Sequence, residues 1–264
     1  MNLRENNFSF GGLHCMRDFG LIYAESGGHP ITPPINRDVY EIAGLSGTVL
    51  MPGVTHGLHK FAGNLFFLQD PPDQAAAQEN LRKIGAWLLN GRQRLIFDYE
   101  PHRYYVASVN EAARWDYAKW IEGGLGIEFE AQPYAYNVQE NSASLTTAAT
   151  SNRLTLVADT GVDAPLKVTI LNTGAASITG ATVTLGGRSA VFAGMSIAVG
   201  AALIIDMEPP IGAAFSNGAN ALPYATRYDY LTAQTGANAV GVALAFGSGT
   251  PGAKIAASTR GRYL

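Results

Sequence analysis

The stretch Leu95–Tyr105, LIFDYEPHRYY, decides how the first half of the chain is read. Leu95, Ile96 and Phe97 make a short apolar run suited to a buried strand, and Tyr104, Tyr105, Val106 and Val109 suit its partner. Between them, Asp98-Tyr99-Glu100-Pro101-His102-Arg103 is polar and broken by a proline. Pro101 lacks an N–H for a strand ladder and steers Glu100 away from helical angles. The stretch therefore predicts a β-hairpin with a loop of four to five residues. Asp98, Glu100 and His102 alternate, and on an ideal strand they would share a face, as a carboxylate pair or a facial metal triad requires. The proline and the turn break that face. We therefore expect no catalytic residues here, and expect the tip residues Tyr99, Glu100, His102 and Arg103 to lie at a subunit contact.

Outward from the hairpin, the preceding segment Asp70–Arg92 predicts a helix. Ala77, Leu81, Ile84 and Leu88 recur on one face, Asp70 or Asp73 can cap the start beside Pro71 and Pro72, and Gly91 can stop it. Further upstream, Phe8 and Phe10 alternate with polar residues, Gly11-Gly12 suits a turn, and Leu13–Arg17 reads as a returning strand. Asp18-Phe19-Gly20 interrupts, with Asp18 a turn residue, and Leu21-Ile22-Tyr23 resumes the strand pattern. Glu25–Asn36, rich in Gly and Pro, predicts an arm or lid. Val39–Ile42 and Thr48–Met51 predict a hairpin around Gly44-x-x-Gly47, which lacks the Lys-Ser/Thr and helix of a phosphate loop. Gly63–Leu68 predicts a strand. Ala113–Glu122, holding Trp115 and Trp120, predicts a strand or an irregular crossing. Ile127, Phe129 and Ala131 alternate with polar neighbours, which predicts a half-buried strand ending at Pro133.

The remaining composition excludes several classes. The formal net charge of -3 argues against an electrostatic nucleic-acid binder. One cysteine, Cys15, allows no intrachain disulfide, and no Gly-rich turn surrounds it as a nucleophile would need. The five histidines, 14, 29, 56, 59 and 102, are scattered. His56 and His59 have the spacing of a helical pair, but Pro52, Gly53 and Gly57 oppose a helix and no third ligand stands nearby, so no metal and no cofactor are expected. The N-terminus lacks the apolar region of a signal peptide. The uncharged run Ser189–Ile205 carries Gly194 and Gly200 and reads as two strands and a turn rather than a membrane span.

The second half changes character. Residues 131–264 hold 13 of the 39 charged residues, no Trp and no His. Asn137–Asn152 reads as a linker or first loop. After it, Leu154–Ala158, Leu166–Leu171, Thr182–Leu185, Val191–Phe192, Ala202–Ile205, Tyr228–Leu231 and Val240–Phe246 read as short strands between Gly, Asn and Thr turns. Seven such strands without a helix predict a β-sandwich. The expected division is 1–133 and 134–264, and the expected class is mainly β.

Three stretches, FSFGGLHCMRDFGLIYAE at 8–25, LIFDYEPHRYYVASV at 95–109 and GIEFEAQPYAY at 126–136, together resemble the distal tail proteins of long, non-contractile-tailed bacteriophages. The matching positions are Phe8, Phe10, Gly11, Asp18, Phe19 and Gly20, then Phe97, Asp98, Pro101, Arg103, Tyr104 and Tyr105, then Phe129, Pro133, Tyr134 and Tyr136. In the second half, Leu203-Ile204-Ile205-Asp206 and the spacing Leu231 to Asn238 and Val240 are similar to the family's late strands. Departures are His102 where an acidic residue is common, Leu45 where Arg is common, and Thr235-Gly236-Ala237 in place of Pro-Gly.

The resemblance implies an N-terminal β-sandwich or split barrel with one helix, and a galectin-like C-terminal β-sandwich. It implies a non-enzymatic structural protein of a phage or prophage tail. As a hub in the baseplate or tail tip, it would be a homo-hexameric ring that joins the tail tube protein to a tail-tip fibre or lysin protein, holds receptor-binding proteins, and leaves a channel for DNA. Its place would be the distal tail of the virion, and the host cytoplasm before assembly, without membrane or sequence-specific nucleic-acid partners. The alternatives are a carbohydrate-binding module or adhesin of the tail tip, which needs exposed aromatic platforms, and a tail-associated hydrolase, which needs a convergent nucleophile or acid–base site.

Overall fold

The structure is a computed structural model. It describes residues 7–26, 28, 30–37, 39–41, 46, 48–50, 53–69, 71–110, 114–117 and 123–264. The fold is mainly β, and the chain divides into two compact units, residues 1–136 with 264, and residues 137–263.

The first unit carries β1 (Phe8–Phe10), β2 (Leu13–His14), α1 (Cys15–Phe19), β3 (Leu21–Glu25), β4 (Ile35–Asn36), β5 (Val39–Glu41), β6 (Thr48–Leu50), β7 (Thr55–His56), β8 (His59–Phe67), α2 (Gln74–Leu88), β9 (Gln93–Phe97), β10 (Arg103–Val109), β11 (Arg114–Tyr117) and β12 (Gly123–Asn137). Its main sheet runs β2-β1-β9-β10-β12-β8-β3, with β11 on β12. The pairs β4–β7 and β5–β6 stand apart from it: β4 lies in the span read as an arm and β5–β6 in the span read as a hairpin, while β7 follows both. Residues 42–45 and 47, and with them Gly44 and Leu45, lie outside the described residues, as do His29 and Trp120.

The hairpin of Leu95–Tyr105 forms as its sequence requires. Leu95 faces Tyr105 across β9–β10, and residues 98–102 make the turn. The turn closes with Glu100 N–H donating to Phe97 O (3.0 Å) and Arg103 N–H donating to Glu100 O (3.1 Å). On its other side β9 pairs with β1, Phe8 opposite Phe97. The alternating inward residues then gather as one aromatic core: Phe8, Phe10, Tyr23, Phe61, Phe97 and Phe129 are essentially without exposure. Phe8 meets Tyr23 and Phe129 edge-on, at 5.2 and 5.1 Å between centroids. Such pairs add ~0.5–1.5 kcal/mol each beyond their burial.

Helix α2 closes this core. Asp73 caps it by accepting from Ala76 N–H (2.8 Å), and Ala77, Ile84, Trp87 and Leu88 are its buried residues. Trp87 anchors it: the indole N–H donates to Phe10 O (2.8 Å), and the ring stacks on Phe8 (5.7 Å) and Phe19 (4.4 Å).

Two expectations are corrected. Leu13–Arg17 is not one strand, because α1 begins at Cys15, so the described residues of the unit hold two helices rather than one. The reason is local capping. His14 Nδ1 accepts from Met16 N–H and Arg17 N–H, Asp18 accepts from His14 N–H, and Gly20, at φ +63°, ends the helix in the left-handed region. Nor does Pro133 end its strand, since β12 continues to Asn137. The β8 ladder stops at Ala131 opposite His59, so the missing N–H of Pro133 removes no bond from it.

The second unit carries β13 (Asn141–Thr147), β14 (Ser151–Ala158), β15 (Ala164–Asn172), β16 (Ile178–Leu185), β17 (Arg188–Ile197), β18 (Ala202–Asp206), β19 (Gly212–Phe215), a single 3-10 turn at Leu222–Tyr224, β20 (Ala225–Tyr228), β21 (Thr232–Ala233), β22 (Gly236–Phe246), β23 (Ala253–Thr259) and β24 (Arg262–Tyr263). One sheet runs β13-β23-β15-β18-β19 with β21 on β15, and the other β14-β22-β16-β17-β20. Their inward residues, among them Leu156, Ile170, Val183, Phe192, Ile205, Val240 and Ile255, pack as one apolar cluster, a β-sandwich core. The register is set locally in places. Leu185 and Arg188 face each other across Gly186 (φ +58°) and Gly187 (φ +78°), the two-residue turn with both φ positive.

Asn137–Asn152 is not a continuous linker, because β13 occupies its middle. Its polar, Thr-rich sequence suits an edge strand with little burial. Tyr228–Leu231 is likewise not a strand, since β20 ends at Tyr228.

Candidate functional site

The hairpin tip presents Tyr99, Pro101 and His102 to solvent. Tyr99 stacks on Phe97 at 5.1 Å while leaving 43% of its surface exposed. Glu100 and Arg103 are turned toward each other: Arg103 Nη1 donates to Glu100 Oε1 at 2.8 Å. The Tyr105 hydroxyl donates to the other Glu100 oxygen at 3.5 Å, and burial pushes that phenol up to about 12. Of the four residues expected at a contact, Tyr99 and His102 thus form an outward surface, and Glu100 with Arg103 brace the turn beneath them.

Asp98 belongs to a different assembly. His14 Nε2 lies 3.1 Å from both Asp98 carboxylate oxygens, while Asp98 N–H donates to Asn7 O at 2.9 Å. With Nδ1 accepting two backbone N–H groups, the ring proton stands on Nε2 and points at Asp98. His14 therefore ties α1 to the hairpin, across 84 residues of sequence. The alternation of Asp98, Glu100 and His102 does not converge on one point, as the turn predicts.

A Cys, His and Asp standing this close invite comparison with a nucleophile site, and the geometry rejects it. Both nitrogens of His14 are engaged elsewhere. Cys15 has no exposure, its sulfur accepts from Phe8 N–H at 3.4 Å, and burial pushes the thiol up to about 11. A nucleophilic thiol needs the opposite shift and an approach from solvent. Among the described residues, no three or more His, Cys, Asp or Glu are grouped to hold a metal ion. His56 and His59 are split between β7 and β8: His59 stacks on Phe61 at 5.6 Å, and His56 approaches the Tyr134 ring at 6.4 Å.

A shallow trough of about 300 Å³ crosses β8 and β12, lined by Ser26, Ala62, Gly63, Asn64, Gly126, Ile127 and Glu128. Its one carboxylate, Glu128, accepts from the Lys60 ammonium at 2.7 Å, and that ammonium also pairs with Glu130 at 3.4 Å. The lining contains no nucleophile–base pair.

In the second unit the aromatic residues that could serve a sugar site do not form a platform. Tyr228 turns inward, edge-on to Phe192 at 5.9 Å, and its hydroxyl donates to Gly212 O at 2.8 Å. Tyr224 and Tyr230 stay 39% and 37% exposed, on either side of β20 in sequence. The outer face of the β14-β22-β16-β17 sheet carries mostly small residues, with Arg153 and the exposed Val157 among them. Ser151, Ala243, Thr182 and Val191 form one cross-strand row, and Arg153, Gly241, Thr184 and Ser189 the next. Arg227 is spent on Asp229 at 2.7 Å.

No family model matches the chain, and no curated protein matches it. A solved structure does, over nearly its whole length. It is the crystal structure of Dit (gp 19.1) of phage SPP1, described as a paradigm of the hub adsorption apparatus in phages that infect Gram-positive bacteria. The superposition has a TM-score of 0.69 at 14% identity, and covers 98% of this chain and 99% of that one. The chain shares the fold of a phage hub protein. Among the described residues, no helix is long and apolar enough to cross a membrane.

Sequence reasoning missed two of the residues that build the hairpin's surroundings. His14 falls in Leu13–Arg17, which reads as a strand, and its capping of α1, with Asp18 four residues on, departs from the usual Ser, Thr, Asp or Asn cap. Trp87 sits on the apolar face of α2, one residue before Leu88, and the spacing rule that picked out Ile84 and Leu88 could have included it.

Proposed function

We propose that this protein is a non-enzymatic structural component of a phage or prophage tail, a distal hub of the baseplate or tail tip. The observation that carries the reading is the likeness of fold to a phage hub protein over 98% of the chain. The three ordered motifs of residues 8–25, 95–109 and 126–136 support it independently of the superposition. In this reading the N-terminal unit forms a ring, of six subunits as the resemblance implies, between the tail tube and the tip proteins, with a channel for DNA. The exposed tip residues Tyr99 and His102 contact a neighbouring subunit, with Glu100 and Arg103 setting their position. The C-terminal sandwich, galectin-like in this reading, projects as a spacer for fibre or receptor-binding proteins. Function is then geometric, carried by repeated interfaces rather than by a reaction. The inward turn of Tyr228 and the small-residue sheet face support a structural role for the sandwich over an adhesin role.

The test is immunogold labelling of particles from a lysate whose genome encodes the chain. Label at the distal tail end, and tubes without tips when the gene is deleted, are expected. Intact tips in the deletion strain would refute the reading. Mass photometry of fragments 1–136 and 137–263 tests which unit forms the ring: assembly by the second and not the first would reverse the roles.

A further inference from the structure

We draw no further inference here: the strongest candidate, the exposed apolar corner of Ile211, Leu222 and Tyr224 where β19 meets the 3-10 turn before β20, is an unpartnered patch, and nothing in the structure shows what covers it.

Discussion

Gly63 is the position where a single methyl group tests the packing of the N-terminal core. A Cβ placed there would stand 2.2 Å from Tyr23 Cε2, 2.6 Å from Cζ and 2.7 Å from the hydroxyl oxygen. Tyr23 is the diagonal neighbour of the glycine in the β3–β8 ladder, where it pairs with Leu65 while Glu25 pairs with Gly63. The ring is 2% exposed and held on other sides by Phe8 and Phe97. Restoring ordinary contact means withdrawing the ring edge by more than ~1 Å into a filled core, and overpacking of this kind costs about 1–3 kcal/mol. The hydroxyl also stands to lose its bond to Ala62 O, at 3.2 Å, worth ~1 kcal/mol. Reduced freedom of the unfolded chain offsets only ~0.4–1 kcal/mol of this. Gly63→Ala should therefore destabilise the unit by about 1–3 kcal/mol. Gly126→Ala, whose Cβ meets only Asn64 Oδ1 at 3.6 Å, should be close to neutral. The assay is urea unfolding of the full chain followed by tryptophan fluorescence, since Trp87, Trp115 and Trp120 all lie in the first half. Repeating Gly63→Ala in a Tyr23→Leu background completes a double-mutant cycle, and most of the cost should vanish once the ring is gone. Equal losses for Gly63→Ala in both backgrounds, or an equal loss for Gly126→Ala, would refute the reasoning.

Three further outcomes are expected. His14→Ala removes the cap of α1 and the partner of Asp98, and should lower the unfolding free energy by about 1–2 kcal/mol, with His14→Asn recovering part of it through its own capping oxygen; equal stability of all three proteins in urea would show that the tie does not matter. Cys15 should not react with a thiol reagent at pH 8 until the protein is unfolded, because burial raises its folded value from 9.0 to about 11; the stability linked to that shift is present below pH 9 and is lost as pH rises toward 11, and rapid labelling of native protein at pH 8 would contradict the burial. A glycan array probed with the full chain should show no galectin-type binding, and reproducible binding abolished by Tyr230→Ala or Tyr224→Ala, with folding unchanged by circular dichroism, would move the reading to an adhesin.

How much was legible in the sequence follows from the range of the interactions involved. The hairpin at 95–105, helix α2 and its Asp73 cap, and the sandwich strands Leu166–Leu171 and Val240–Phe246 were all readable. Each rests on a periodicity or a turn residue within about ten positions. Helix α1 escaped, although its signals are equally local, because five residues are too few to show a 3.6-residue period and a histidine cap is unusual. The end of β12 was misplaced for a different reason. A proline breaks a strand only where a partner needs its N–H, and which ladder runs beside Pro133 is decided by the sheet order, not by its neighbours in sequence. The same holds for the site. Composition and spacing carry no metal-ligand set and no nucleophile turn. The pairing of His14 with Asp98, the shielding of Cys15, the inward turn of Tyr228 and the division of the tip into an exposed pair and a bracing pair depend on contacts between distant segments. Only folding decides those, because the free energy that sets a side chain's direction there comes from neighbours that the chain brings together across tens of residues.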